Sequence, residues 1–109
     1  MSVHSARLGA NNGVGTGGVD LYTVPTGKRT IVKCFTIRNL GAGTIFVQFD
    51  VKNGATVLFQ LVYFPTAAGA AGDTIIPLPW FVMNAGEVLH VHTGSGTASV
   101  SASGAELDT

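Results

Sequence analysis

Charged side chains are scarce in this chain, which has six basic and six acidic residues among 109. They make up 11% of the sequence, against roughly 25% in an ordinary soluble domain. A compact chain of this length has a surface on the order of 5,700 Å², and so few charges cover it poorly in a protein that diffuses as a monomer. We therefore expect much of the surface to be covered, either by neighbouring subunits or by a membrane.

Long apolar runs are also missing. The longest, Ala55–Phe64, is interrupted by Gln60, and the next, Thr74–Met83, contains Pro77 and Pro79. A helix that crosses a bilayer needs about 20 predominantly apolar residues. Neither run reaches that length, so the sequence excludes a transmembrane helix and favours assembly with other subunits.

Cysteine occurs once, as Cys34, so no disulfide can form within the chain. The sequence does not begin with the basic region and apolar core of a secretory signal, and we expect synthesis in a host cytoplasm. Cys34 is a poor nucleophile candidate because Lys33, its neighbour, would face the opposite side of a strand. The C-terminal serines alternate with small apolar residues, as on the outer face of a strand, and no paired carboxylates appear. We therefore expect no enzymatic activity.

Helical periodicity is absent, whereas period-two patterns predict strands along most of the chain. Thr44–Val51 alternates, Asn53 and Gly54 predict a type I′ hairpin turn, and Ala55–Phe64 is the return strand, which we expect to be covered on both faces. Thr74–Leu78 is predicted to be an edge strand because its proline cannot donate to a ladder. Further strands are predicted at Leu21–Val24, Thr30–Asn39, Val88–Thr93 and Thr97–Ala102. The expected fold class is all-β, a single antiparallel β-sandwich or jelly-roll-like domain of seven to eight short strands.

The first 18 residues differ from the rest, because Gly9–Gly18 is rich in glycine and asparagine. We predict an N-terminal arm or loop over residues 1–18, ordered only by a partner, and a β-sandwich over residues 19–109. Gly13–Gly18 matches G-x-G-x-x-G, but Val19–Tyr22 reads as a strand where a dinucleotide site needs a helix. A loop is the preferred interpretation of this motif.

Several turn motifs resemble those of small all-β proteins from the virions of tailed bacteriophages. They are a tyrosine-threonine-x-proline-x-glycine entry, a strand that ends in asparagine, an asparagine-alanine-glycine-acid-x-leucine turn and a serine-glycine-x-glutamate ending. They lie at Tyr22–Lys28, Ile31–Asn39, Met83–Leu89 and Val100–Leu107, within a resemblance that covers residues 21–107. The resemblance implies an assembling structural protein of the capsid surface, head fibre, tail or baseplate, often trimeric, with no catalytic residues.

His90 and His92 form the sharpest candidate for chemistry, because residues two apart in a strand share a face, which allows both imidazoles to bind one metal. A cupin-type site would need an acid near positions 96 and 97, where glycine and threonine stand, and a further histidine downstream. A complete metal site within one chain would need a further ligand such as His4 or a distant acid such as Glu87. A site on a threefold axis would instead use histidines from three chains. Two histidines on the polar face of a strand are the preferred interpretation, so we expect no metal and no cofactor.

The bases come early in the sequence and the acids late. Five of the six bases lie within one 25-residue segment, and most acids follow it. This order suggests a basic end and an acidic end, with the basic end docking on an acidic capsid surface, although an ordinary scatter of solvated charges is an equal alternative. The bases are too sparse for nucleic-acid binding. The expected interface residues are the bases Lys28, Arg29, Lys33 and Arg38 and the aromatic residues Tyr63, Phe64, Trp80 and Phe81.

Together these features predict a bacteriophage virion structural protein. The favoured role is a capsid decoration, or cement, protein that binds the outer capsid surface as a homotrimer and stabilises the head. A tail, baseplate or head-fibre component is the first alternative, and a carbohydrate-binding β-sandwich is the second. The expected partners are further copies of the chain and the major capsid protein or other virion proteins, without nucleic acid or membrane.

Overall fold

The computed structural model describes residues 3–41, 43–64 and 74–109, and for residues 3–6, 74, 75 and 77–80 it describes the backbone alone. Within these ranges the regular structure consists of strands, and none of it is a helix that could span a membrane. The strands are β1 Val3–Val14, β2 Val19–Thr23, β3 Lys28–Asn39, β4 Val47–Asn53, β5 Thr56–Tyr63, β6 Thr74–Asn84, β7 Val88–Thr93 and β8 Ala98–Asp108.

The strands form two antiparallel four-stranded sheets. The first sheet has the order β1-β8-β3-β6 and the second has the order β2-β7-β4-β5. Only β4 and β5 are consecutive strands of one sheet, and every other connection crosses to the opposite sheet. Eight strands in two sheets joined in this way form a jelly roll, so the all-β sandwich predicted from the sequence is confirmed.

The core lies between the two sheets and follows the alternation of each strand. On β7, Leu89, Val91 and Thr93 point inward and are buried, while His90 and His92 lie on the outer face and are half-buried. The same alternation on other strands contributes the large side chains that fill the interior. They include Val32, Phe35, Ile37, Val47, Phe49, Val51, Met83 and Val100.

The predicted hairpin is present, but its turn is of a different type. Asn53 pairs with Thr56, so the two loop residues are Gly54 and Ala55. Gly54 has a φ of 60°, and no residue other than glycine has a positive φ among those described. A two-residue loop with a left-handed glycine in first place is typical of a type II′ turn rather than type I′.

The prediction of a separate arm over residues 1–18 is corrected by the structure. Val3–Val14 forms β1, which pairs along its length with β8, and Val14 is completely buried in the core. Register shifts after Arg7 and after Asn11 interrupt the ladder, as β-bulges do. Residues 15–18 form the turn to β2, and no helix follows the G-x-G-x-x-G motif.

The prediction that the strand after the hairpin is covered on both faces is wrong. β5 is the outermost strand of the second sheet, and most of its residues are exposed. β6 is an edge strand of the first sheet, as predicted, although it continues to Asn84. The chain therefore has one side on which the edges of both sheets lie next to each other.

Candidate interaction surface

The outer edge of β5 carries most of the exposed apolar surface among the described residues. Four of its eight residues are large apolar side chains that are exposed by more than a third: Val57 (43%), Leu58 (48%), Phe59 (36%) and Val62 (45%). Phe64, directly after the strand, is 70% exposed. Residues 56–64 contain no charged residue and no proline. Charge and proline are two of the features that normally prevent an edge strand from pairing with another chain, and this strand lacks both.

A β-bulge divides β5 into two parts. Val51 of β4 pairs with Phe59, whereas the next residue, Lys52, pairs with Val57, so Leu58 is the extra residue. From Phe59 to Tyr63 the ladder with β4 is regular. The bulge explains why Val57 and Leu58 are both exposed, although strict alternation would have turned one of them inward.

The side chains on the inner face of β5 pack against the core through aromatic contacts. The Tyr63 ring lies edge-on to both Phe35 and Phe49, at centroid distances of 6.2 and 6.1 Å. Burial raises the pKa of the Tyr63 hydroxyl. The Phe59 ring contacts the ring of Phe81 on β6 edge-on, with 5.0 Å between the ring centroids. This aromatic contact connects the edges of the two sheets. Tyr63 and Phe81 therefore belong to the core margin, while the neighbouring Phe64 is open to a partner.

Among the predicted aromatic interface residues, Trp80 is the one whose side chain lies outside the described residues. The structure brings Tyr63, Phe64 and Phe81 to the same side of the sandwich, because β5 and β6 are the adjoining sheet edges. From the sequence we predict that the strand Ala55–Phe64 as a whole supplies apolar burial to subunit contacts, but the sequence does not single out Val57, Leu58 and Val62. The available signal was the lack of any charge from residue 56 to residue 64.

The predicted separation into a basic end and an acidic end is wrong. Lys28 pairs with Asp108 through a salt bridge at the start of β3, and Glu106 lies opposite Thr30. Lys28 is therefore accompanied by acids, and Asp108 raises the pKa of its ammonium group. Arg38 lies ten residues further along β3, or about 33 Å away at 3.3 Å per residue. The four basic residues predicted to form one interface are consequently spread along a strand rather than gathered in a patch, with Arg29 and Arg38 exposed and Lys33 half-buried.

The two histidines lie in a polar row on the outer face of the second sheet. His90 is paired across the strands with Asp20 on one side and with Asp50 on the other, and Asp50 is paired with Gln60. The Nδ1 atom of His90 lies 2.8 Å from an Asp20 oxygen, and that of His92 lies 3.9 Å from Asp50. Within the described ranges, no group of three or more histidine, cysteine, aspartate or glutamate residues is arranged to hold a metal.

The outer face of the first sheet carries short polar side chains. Ser99 and Ser101 lie on this face, as the alternation predicted, and line a shallow depression of about 180 Å³ together with Arg7 and Thr36. The Ser99 hydroxyl donates a hydrogen bond to the side-chain oxygen Oδ1 of Asn12 at 3.0 Å. Cys34 is half-buried in β3.

Comparison with known proteins gives a distant likeness of fold. No protein-family model matches the chain, and no curated protein matches it. A chain in the structure of infectious bursal disease virus strain Gx is similar at a TM-score of 0.49 and 12% identity, over 96% of this chain and 32% of that one. A chain in the structure of strain Gt is similar at a TM-score of 0.37 and 10% identity, again over 96% of this chain and 32% of that one. The present chain thus spans about a third of the length of these viral chains, and likeness at this level indicates neither family nor function.

Proposed function

We propose that this chain is a structural protein of a virion, and specifically a capsid decoration protein that binds the outer surface of the shell and stabilises it. The observation that carries this proposal is the uncharged, exposed edge of β5. An edge of this kind on a protein of such low charge favours a state in which the edge is covered.

The architecture supports the same proposal. Viral capsid domains use the eight-stranded jelly roll, as do lectins and cupins, and fold alone does not select among them. The scarcity of charge favours the capsid role among these, because it suits a protein that works packed against others. A standard contact covers about 800 Å² of each partner, and two such contacts would cover over a quarter of the 5595 Å² surface.

In this proposal the chain is a homo-oligomer, and three copies is the number implied by the resemblance to phage virion proteins. The contact with the shell does not use a free N-terminal arm, because Val3–Val14 is a strand of the first sheet. The exposed apolar edge of β5 is one surface through which the chain associates with other subunits.

The test has two stages. Sedimentation of the purified chain at micromolar concentration should show an oligomer, and antibodies against the chain should label the heads of purified particles. Shells depleted of the chain should bind a fixed number of copies of it at saturation. The saturated shells should then withstand a higher temperature than the depleted ones. A monomer that binds no shell would contradict the proposal, and labelling of tails instead of heads would support the tail or baseplate alternative.

A further inference from the structure

We infer that the free edge of β5 pairs with β5 of a second copy of this chain, antiparallel, about a twofold axis that passes Leu61. This inference rests on the proposed function, since it names the partner that covers the edge. It joins the second sheets of two copies into one continuous sheet of eight strands.

The position of the axis follows from the bulge. The ladder between β4 and β5 is regular from Phe59 to Tyr63 and is interrupted at Leu58. A bulge bends and twists the strand, so regular pairing with a new neighbour ends there. The usable run is therefore Phe59–Tyr63, and Leu61 is its centre. A twofold axis perpendicular to the sheet at this residue pairs the whole run with itself.

The side chains on the inner face of the run are of the same type on either side of Leu61. This face carries an aromatic residue at each end and leucine in the middle: Phe59, Leu61 and Tyr63. With the axis at Leu61, Phe59 lies opposite the partner subunit's Tyr63, and Leu61 lies opposite the partner subunit's Leu61. Directly opposed aromatic and aliphatic pairs stabilise an antiparallel ladder by roughly 0.2–1 kcal/mol each. This symmetry favours a second copy over an unrelated chain.

The exposed residues that flank the run fit the same arrangement. Phe64, just beyond the run and 70% exposed, comes next to the partner subunit's Leu58, the bulge residue, which is itself 48% exposed. Each contact occurs twice, because the twofold axis repeats it. The two most exposed apolar side chains beside the edge thus cover one another.

Electrostatics does not oppose the contact. Residues 56–64 contain no charge, and the chain as a whole has a formal net charge of zero, so two copies approach without like-charge repulsion. A twofold contact is separate from the threefold contact implied by the resemblance, and copies arranged on a shell can make both.

The first experiment tests the register with cysteine substitutions in the full chain carrying Cys34→Ala. Gln60 lies opposite the partner subunit's Val62, and both positions are exposed in the single chain. Chains with Gln60→Cys and chains with Val62→Cys, mixed and treated with a mild oxidant or a short bifunctional thiol reagent, should form mainly the mixed dimer. Equal cross-linking of every combination, or none, would overturn the inference.

The second experiment places a charge in the contact. Val62→Lys should raise the dissociation constant of the self-association at least about tenfold, because lysine on an edge strand disfavours pairing. Val82→Lys is the matched control, since Val82 is also an exposed valine of an edge strand, at 50%, but lies on β6. It should leave the association unchanged, and circular dichroism should show both variants folded.

The outcomes separate this inference from the proposed function. If the unaltered chain is an oligomer but Val62→Lys has no more effect than Val82→Lys, then the β5 contact is wrong and assembly through another surface stands. If the unaltered chain is a monomer that still binds the shell, the β5 contact is wrong and the decoration role stands. A monomer that binds no shell contradicts both proposals.

Discussion

The ring of Phe35 on β3 lies parallel to the ring of Phe49 on β4, with 3.7 Å between their centroids and 2° between their planes. The two strands belong to different sheets, and both side chains are buried. We predict that Phe49→Ala lowers the free energy of unfolding by about 3–5 kcal/mol, because it removes apolar burial and leaves a cavity. Urea titration followed by fluorescence or circular dichroism measures the change. Val82→Ala, at an exposed position, should change it by no more than about 0.5 kcal/mol, and equal effects would contradict this view of the core.

Gly104 lies opposite Val32 in the ladder between β8 and β3, next to the register shift between Val32 and Cys34. A Cβ atom at this position would overlap the backbone carbonyl oxygen of Ile31, and backbone cannot move aside as a flexible side chain can. We predict that Gly104→Ala destabilises the fold by about 1–3 kcal/mol. Gly17→Ala is the control, because no atom lies within 4 Å of its Cβ position, and it should be neutral or stabilising by up to about 1 kcal/mol. Thermal unfolding of the two variants side by side is the measurement.

Tyr22 links the two sheets by hydrogen bonds. Its hydroxyl donates to a Glu106 oxygen at 2.5 Å and lies 2.6 Å from the hydroxyl of Thr30. Burial, followed by the hydrogen bond to Glu106, raises the pKa of Tyr22 to about 12. The native state therefore keeps a proton that the unfolded state loses near pH 10, and stability falls as the pH rises from about 10 to 12. Tyr22→Phe should be less stable at pH 8 but lose less stability across that range. Thermal midpoints at pH 8 and pH 11 test this, and an unchanged pH dependence would contradict it.

Asp50 and Asp20 flank His90 in the same polar row but differ in burial. Asp50 is 7% exposed and accepts a hydrogen bond from the Gln48 amide at 2.8 Å, whereas the Asp20 side chain is 66% exposed. We predict that Asp50→Ala costs about 1–3 kcal/mol, because a partly buried amide loses its acceptor. Asp20→Ala should cost no more than about 1 kcal/mol. A larger effect at Asp20 in denaturant titrations would show that the contact between Asp20 and His90, rather than burial, governs this row.

The strands with strong alternation were predictable because the pattern is local. β7 is found at the predicted bounds, Val88–Thr93, since its inward and outward residues alternate without a break. The hairpin was predictable for the same reason, although the left-handed glycine and not the asparagine begins its turn. β1 was missed because its small and polar residues show no clear alternation, and it forms a strand through pairing with β8, about a hundred residues away.

The site depends on features that no local pattern specifies. The apolar alternation of β5 shows that it is a strand but not how many neighbours it has, and its place at the edge follows from the topology of the whole sheet. The order of charges along the sequence was equally uninformative. A 12-residue strand carries Lys28 far from Arg38, and β8 returns Glu106 and Asp108 to Lys28.

The position of β8 has a consequence for the order in which this protein acquires its structure. It is the eighth strand along the chain, yet it lies between β1 and β3 in the first sheet. When synthesis has reached Asn84, β1 still has no neighbouring strand, and β3 has a neighbour, β6, on one edge only. The second sheet can assemble earlier, because β7 joins β2 to β4. We therefore expect the β4–β5 hairpin to nucleate folding and the first sheet to close last, with slow kinetics typical of contacts distant in sequence.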